Sequence, residues 1–191
     1  LLCTTVFTLA ITTASFADTW TVDDDGKADF NNIQAAVNAS SNGDEILVMP
    51  GTYTSTAIEV VNMSGKAVWL HSSAGAEVTI IDGEGARRGI VCVSQETSKT
   101  LIVGFTITNG NTHFAKVLDG GGMYNSSSSP TLTDCIFTNN TALNGGGMYN
   151  SDSNPTLTDC TFTGNTADSG GGMYNSSSSP TLDGCTFTNN T

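Results

Sequence analysis

Apolar and polar residues alternate with a period of two along much of this chain, and the alternation itself recurs. Thr156 to Thr163 reads Thr-Leu-Thr-Asp-Cys-Thr-Phe-Thr, which gives an extended segment one apolar edge and one edge of hydroxyls. A helix needs a sustained run of apolar residues three and four apart, and this segment alternates apolar residues with Thr instead. Gly120-Gly121-Gly122-Met123-Tyr124-Asn125 returns at Gly145 to Asn150 and at Gly170 to Asn175, while Cys135, Cys160 and Cys185 keep the same 25-residue interval. Gly120 to Thr141 and Gly170 to Thr191 agree at 19 of 22 positions. Each repeat predicts a Gly-Gly-Met-Tyr strand, a Ser-rich turn closed by Pro130, Pro155 or Pro180, a Thr-Leu-Thr strand, a bend at Asp-Cys, and a Thr-Phe-Thr strand ending in Asn.

Three short strands and three turns make one coil of a parallel β-helix, in which each strand pairs with its copy about 4.8 Å along. Like then stacks on like. Leu132, Leu157 and Leu182 form one expected inward ladder; Cys135, Cys160 and Cys185 form a second, and Phe137, Phe162 and Phe187 a third. Thr138, Thr163 and Thr188 face water. Leu101 to Asn109 aligns with Thr131 to Asn139 at an offset of 30, which sets Phe105 over Cys135 and Ile107 over Phe137. Further strands are expected at Trp20 to Val22, Glu45 to Met49, Ile58 to Val61, Val68 to His71, Val78 to Asp82 and Gly89 to Val93. The expected architecture is all-β, with about six three-stranded coils. One helix is expected from Asn32 to Ser40, with Asn31 and Gln34 as a capping box and Gly43 at its end. Placed after the opening strand, its apolar side covers the end of the stack. The expected organisation is a cap over residues 18–43, irregular coils over 44–116 and three 25-residue repeats over 117–191, all one domain.

Residues 1–17 stand apart. Leu1 to Ala17 is an uncharged run, rich in apolar residues and Thr, that ends Ala14-Ser15-Phe16-Ala17. It reads as the apolar core and small-residue cleavage site of a secretory signal whose basic start is missing, and it is shorter and richer in Thr than a spanning segment. The expectation is export to the extracellular space or outer cell surface.

Composition narrows the partners. Six Lys or Arg against 18 Asp or Glu give a net charge of −12, and such a surface repels nucleic-acid phosphates. Thr (29), Ser (20), Asn (17) and Gly (21) make up nearly half the chain, which excludes an ordinary helical domain.

Asp29-Phe30-Asn31-Asn32-Ile33-Gln34-Ala35-Ala36-Val37, followed by Gly43-Asp44-Glu45-Ile46-Leu47-Val48-Met49-Pro50-Gly51-Thr52-Tyr53, closely resembles the opening segment of right-handed parallel β-helix proteins of the pectin-lyase-like superfamily. The repeats also resemble those of chlamydial polymorphic outer membrane proteins, with Phe-x-x-Asn at Phe137 to Asn140, Phe162 to Asn165 and Phe187 to Asn190. That family's Gly-Gly-Ala-aliphatic motif is altered here, because Gly122, Gly147 and Gly172 stand where it has Ala. The resemblance implies a right-handed β-helix, an exported location and an adhesin-like role at a cell surface.

Candidate chemistry is sparse. A polysaccharide lyase of the resembling superfamily pairs a basic residue with acidic groups that hold calcium. Val117 to Thr191 contains six Asp and no Lys, Arg or His. Arg87 and Arg88, after Asp82-Gly83-Glu84-Gly85, read as a solvated turn; His71 and His113 lack a partner at any recognisable spacing and read as structural or exposed. Glycoside hydrolysis needs two opposed carboxylates. Asp134 and Asp159 stack, but Gly184 displaces Asp183 from the column, so these read as solvated bends. Asp23-Asp24-Asp25-Gly26 is an acidic turn without the spaced ligands of a calcium loop. Cys92, Cys135, Cys160 and Cys185 could form two disulfides in an exported protein, yet a ladder of unpaired thiols fits the repeat better. Outward Thr106, Thr108, Thr161, Thr163, Thr186 and Thr188 would form the hydroxyl and methyl lattice that ice-binding solenoids use, interrupted by Ile136.

These readings favour a non-catalytic, exported scaffold or adhesin with no catalytic, cofactor or metal residues. Its expected partner is a glycan or a cell-surface protein, with end-to-end self-association through an uncapped C-terminal coil as a further expectation. A carbohydrate-active enzyme is the alternative, and an ice-binding or filament-forming solenoid the second.

Overall fold

A computed structural model describes residues 17–112 and 118–191. The secretory signal, His113 and the boundary at residues 116 and 117 fall wholly or mainly outside that range. The chain winds as a parallel β-solenoid with three main sheets. The first has seven strands: Thr19–Val22, Glu45–Val48, Trp69–Ser72, Leu101–Val103, Thr131–Thr133, Thr156–Thr158 and Thr181–Asp183. The second stacks Glu59–Asn62, Arg88–Cys92, Met123–Ser126, Met148–Ser151 and Met173–Ser176. The third stacks Gly51–Tyr53, Thr79–Asp82, Thr106–Thr108, Ile136–Thr138, Thr161–Thr163 and Thr186–Thr188.

Seven strands in the first sheet mean seven turns rather than six, because Thr19–Val22 pairs directly with Glu45–Val48 and is itself the first turn. A short fourth ladder, Thr141–Asn144 on Thr166–Ser169, was not expected. The Met-bearing strands begin at Met123, Met148 and Met173, past the glycines. Those glycines form the corner instead. Gly120, Gly145 and Gly170 take left-handed φ of 64–65°, and a Cβ on Gly122 would lie 2.5 Å from the Gly147 carbonyl oxygen. An Ala methyl at this position has no room against the next coil.

The expected ladders stack in register: Ile102, Leu132, Leu157 and Leu182; Ile107, Phe137, Phe162 and Phe187. Phe137, Phe162 and Phe187 stack with centroids 4.6 Å apart. Cys92, Cys135 and Cys160 are buried and Cys185 is half-buried, all as free thiols. In the final coil Leu182 and Phe187 are 44% and 42% exposed, since no later turn covers them in the described residues.

Two amide ladders also run inside. Asn125 donates from Nδ2 to Asn150 Oδ1 and Asn150 to Asn175 Oδ1, each at 2.8 Å. Asn140 and Asn165 repeat this toward Asn165 and Asn190 and also donate to backbone carbonyls. A side-chain amide carries donors and an acceptor, so a column of Asn satisfies itself where a column of carboxylates cannot.

The helix spans Ile33–Ala39 and buries Ile33, Ala36 and Val37 over the first turns of the stack. Its cap differs from the expected box. Asn32, not Asn31, is the N-cap, its side chain accepting from the Ala35 amide. Gln34 leaves the helix end and clamps Asn62, accepting from its amide at 2.6 Å and donating to its carbonyl at 3.1 Å. Among the described residues no helix is long and apolar enough to cross a membrane.

Candidate functional site on the first sheet

Stacking in register decides what the outer faces offer. In the repeats the first sheet presents Thr131, Thr156 and Thr181 in one column, with Thr133, Thr158 and Asp183 beside it. The third sheet presents Thr106, Ile136, Thr161 and Thr186, then Thr108, Thr138, Thr163 and Thr188. Tyr124, Tyr149 and Tyr174 stack on the second sheet with centroids 5.4 Å apart. Asp134 and Asp159 sit in left-handed corners with φ near 50°. Gly184 takes the same left-handed corner, with φ 62°, beneath the Asp159 carboxylate. Within such arrays like groups adjoin, and an acid does not meet a base.

The irregular turns break that rule on the same first sheet. Register sets Glu45 opposite Trp69, and Leu47 opposite His71. Outward Glu45 reaches diagonally to His71, with Oε1 2.7 Å from Nε2, and its Oε2 accepts from the Thr19 hydroxyl at 2.7 Å. The Thr19 hydroxyl first, and His71 second, hold the Glu45 carboxyl below its ordinary value. His71 in turn stacks on Trp69, rings 3.9 Å apart and 14° from parallel. Trp69 is 43% exposed. Beneath this cluster Asp44 is buried and accepts from the Asp18 and Ser41 amides and the Trp20 indole. Those donors, the Ser41 amide first, hold the Asp44 carboxyl below its ordinary pKa and lock the first two strands together.

This arrangement corrects the reading of His71 as partnerless. Glu45 is 26 residues away, one 24-residue coil plus the two-residue diagonal. Coil lengths change from 26 to 24, 32 and 30 residues along Thr19, Glu45, Trp69, Leu101 and Thr131. No fixed spacing could point to the pair. The available signal was the outward alternation in Glu45-Ile46-Leu47 and Trp69-Leu70-His71.

Arg88 is also corrected. It is buried and not a solvated turn residue: its guanidinium donates to the Gly120 and Asp119 carbonyls and lies 4.6 Å from the Tyr124 ring centre. Burial lowers its pKa. It fastens the crossing from the irregular turns into the repeats. Arg87 pairs with Glu84 and donates to the Ala57 carbonyl. It lines a polar depression of about 560 Å³ with Asn32, Gln34, Tyr53 and Thr54 to Thr56. The main polar groups there are spent on one another, as Asn32 caps the helix and Gln34 holds Asn62. In the acidic turn Asp24 accepts from the Thr52 amide, and Asp25 pairs with Lys27. Among the described residues no three His, Cys, Asp or Glu side chains gather to hold a metal ion.

Comparison with known proteins agrees with this architecture. The family described as "Right handed beta helix region" matches residues 27–191. No curated protein matches the chain in sequence. Among solved structures, a pectin methylesterase from carrot is similar with a TM-score of 0.51 at 16% identity, covering 80% of this chain and 55% of that one. A pectin methylesterase mutant in complex with a hexasaccharide gives 0.47 at 14% identity, covering 80% and 56%. The chain thus spans about half the length of the structures it matches.

Proposed function

The chain belongs to the right-handed β-helix family, and from that premise we propose that it is a non-catalytic surface module of an exported protein that binds glycans. The supporting observation is the character of its outer faces. Uncharged Thr and Tyr columns cover the repeats, and hydroxyls and aromatic rings are groups that meet sugar hydroxyls and C–H faces. Export rests on the leader pattern of Leu1 to Ala17. The adhesin-like character rests on the resemblance of the repeats to chlamydial surface passengers.

One observation favours a second reading, a carbohydrate-active enzyme. Glu45 and His71 form a hydrogen-bonded acid–base pair on the outer face, and similar folds occur in pectin methylesterases. Against it, the other carboxylate of that region, Asp44, is buried and committed to three donors. The pair therefore lacks a second reacting carboxylate opposite it.

The two readings separate when the purified chain is incubated with neutral and acidic polysaccharides, with and without calcium, while retention and new reducing or unsaturated ends are followed. Retention without products is expected. Turnover abolished by His71→Ala or Glu45→Gln overturns the non-catalytic reading.

A further inference from the structure

Among the described residues Trp69 is the one large aromatic side chain of the exposed hydrophobic residues outside the last coil. One of its faces is taken by His71. Trp69 also lines a depression of about 450 Å³ with Asn42, Gly43, Ala67, Val68, Lys99 and Leu101, a wall that does not include His71. The ring is held from behind by a chain of contacts, from Thr19 to Glu45 to His71 to the indole. An exposed Trp normally costs solvation and has rotamer freedom; here the ring is fixed in a set plane before any ligand arrives.

The polar groups around the depression are of one kind. Asn42 spends its Oδ1 on the Ala67 amide at 2.9 Å, which leaves its Nδ2 pointing away from that bond. Among the described residues that Nδ2, the Trp69 indole N–H and the Lys99 ammonium donate to nothing. Three donors without acceptors border a flat, immobilised indole. This is the reverse of the repeats, where donors and acceptors close on each other along the ladders.

We infer that the open face of Trp69 is a binding subsite for a pyranose ring, a deepening of the glycan-binding reading on which it rests. The apolar C–H face of the sugar lies on the indole, and ring and hydroxyl oxygens accept from Asn42 Nδ2, Trp69 Nε1 and Lys99 Nζ. The depression, at about 450 Å³, lies in the lower part of the 300–1,000 Å³ range of typical ligand pockets and accommodates about one or two sugar units. Binding is accordingly weak for one ring and gains from repetition along a polymer.

The test titrates the whole chain with neutral oligosaccharides of glucose, mannose, xylose and N-acetylglucosamine, with oligouronates as a separate arm. Binding is read by calorimetry and by fluorescence of the two Trp residues, Trp20 and Trp69. At least one series is expected to bind, with a fluorescence change that Trp69→Ala removes and affinity lowered at least tenfold. Asn42→Ala and Lys99→Ala, both at exposed positions that leave the core untouched, each lower affinity severalfold, while Thr158→Ala in the repeats leaves it unchanged. If Trp69→Ala misfolds, the Asn42 and Lys99 variants carry the decision alone. Sugar binding that ignores all three substitutions overturns the subsite and leaves the glycan-binding function standing. Binding that follows Trp69 but is accompanied by cleavage keeps the subsite and overturns the non-catalytic function. No binding by any series overturns the subsite.

Discussion

The irregular turns and the repeats share one stack and one set of sheets, yet they satisfy their polar groups in opposite ways. In the repeats a residue meets its own copy: Asn165 sits between Asn140 and Asn190, and Ser153 joins Ser128 to Ser178. In the irregular turns unlike residues meet across 24 to 32 positions, as Asp44 with Trp20, Glu45 with His71 and Gln34 with Asn62. Repetition suits amides, hydroxyls and rings, which attract their own kind, better than it suits charges, and the six charged residues of the repeats are all Asp. Every lysine and arginine accordingly precedes Val117. An acid beside a base or an aromatic ring, as in Glu45, His71 and Trp69, arises among these pairs where the period is broken. The join between the two regimes is Glu96. Its buried carboxylate accepts from the Gly65 and Ser94 amides and from the Ser128 hydroxyl, the first member of the serine column.

The contrast can be broken by deleting matched side chains. Phe162→Ala leaves a hole between two rings and is expected to cost about 4 kcal/mol, against about 3 kcal/mol for Ile107→Ala at the equivalent place in the irregular turns. Denaturant unfolding measures both, and equal losses remove any special value from the ring column. Glu96→Ala strands three donors at the join and should cost about 3 kcal/mol, with Glu96→Gln losing less because its amide oxygen still accepts. Hydrogen exchange should then rise at Ser128 and Gly65 before it rises elsewhere. Asn165→Ala interrupts the amide column from both sides and is expected to cost about 2 kcal/mol, read from the same unfolding curves.

Acid should produce the smallest effect, confined to one region. Asp29, Asp44 and Glu45 all have acidities strengthened by hydrogen bonds, led by Thr21 for Asp29, Ser41 for Asp44 and Thr19 for Glu45. A carboxyl with a depressed folded pKa stabilises fully above its unfolded value, about 4, and that stabilisation fades as pH falls through the folded value. Amides of the first two turns should therefore exchange faster below pH about 4 while repeat amides, remote from these three carboxylates, hold. Simultaneous loosening would show that the two regions form one cooperative unit.

The repeats were legible because a coil written three times states its own period. Leu132, Cys135 and Phe137 recur with their neighbours, so strand, register and inward face follow from spacing alone. The asparagine columns were harder to foresee, since the polar Asn125 and Asn140 ordinarily mark turns and only the stack shows that they feed each other. The Glu45, His71 and Trp69 cluster was hidden by coils of unequal length, which alter the partner of every outward residue. Arg88 misled for a related reason. Its neighbours Asp82 to Gly85 do form a turn, but the chain re-enters the second sheet one residue before the reading would place it, and the guanidinium goes under the next coil.

The glycine corner at residues 120–122 and its copies also bears on heredity. Because each copy meets the next through an identical backbone path, a duplication in frame of the 25 codons for residues 145–169 would add one turn whose columns already match on both sides. The stack would lengthen by about 4.8 Å, and the capped first turns with the Trp69 cluster would be unchanged. A deletion of the same unit would be equally silent in packing. Insertions of any other length in that stretch would have to be looped out as a bulge. Replication slippage in this gene therefore changes the reach of the protein in whole steps, leaving the irregular turns, where chemistry resides, to change only one residue at a time.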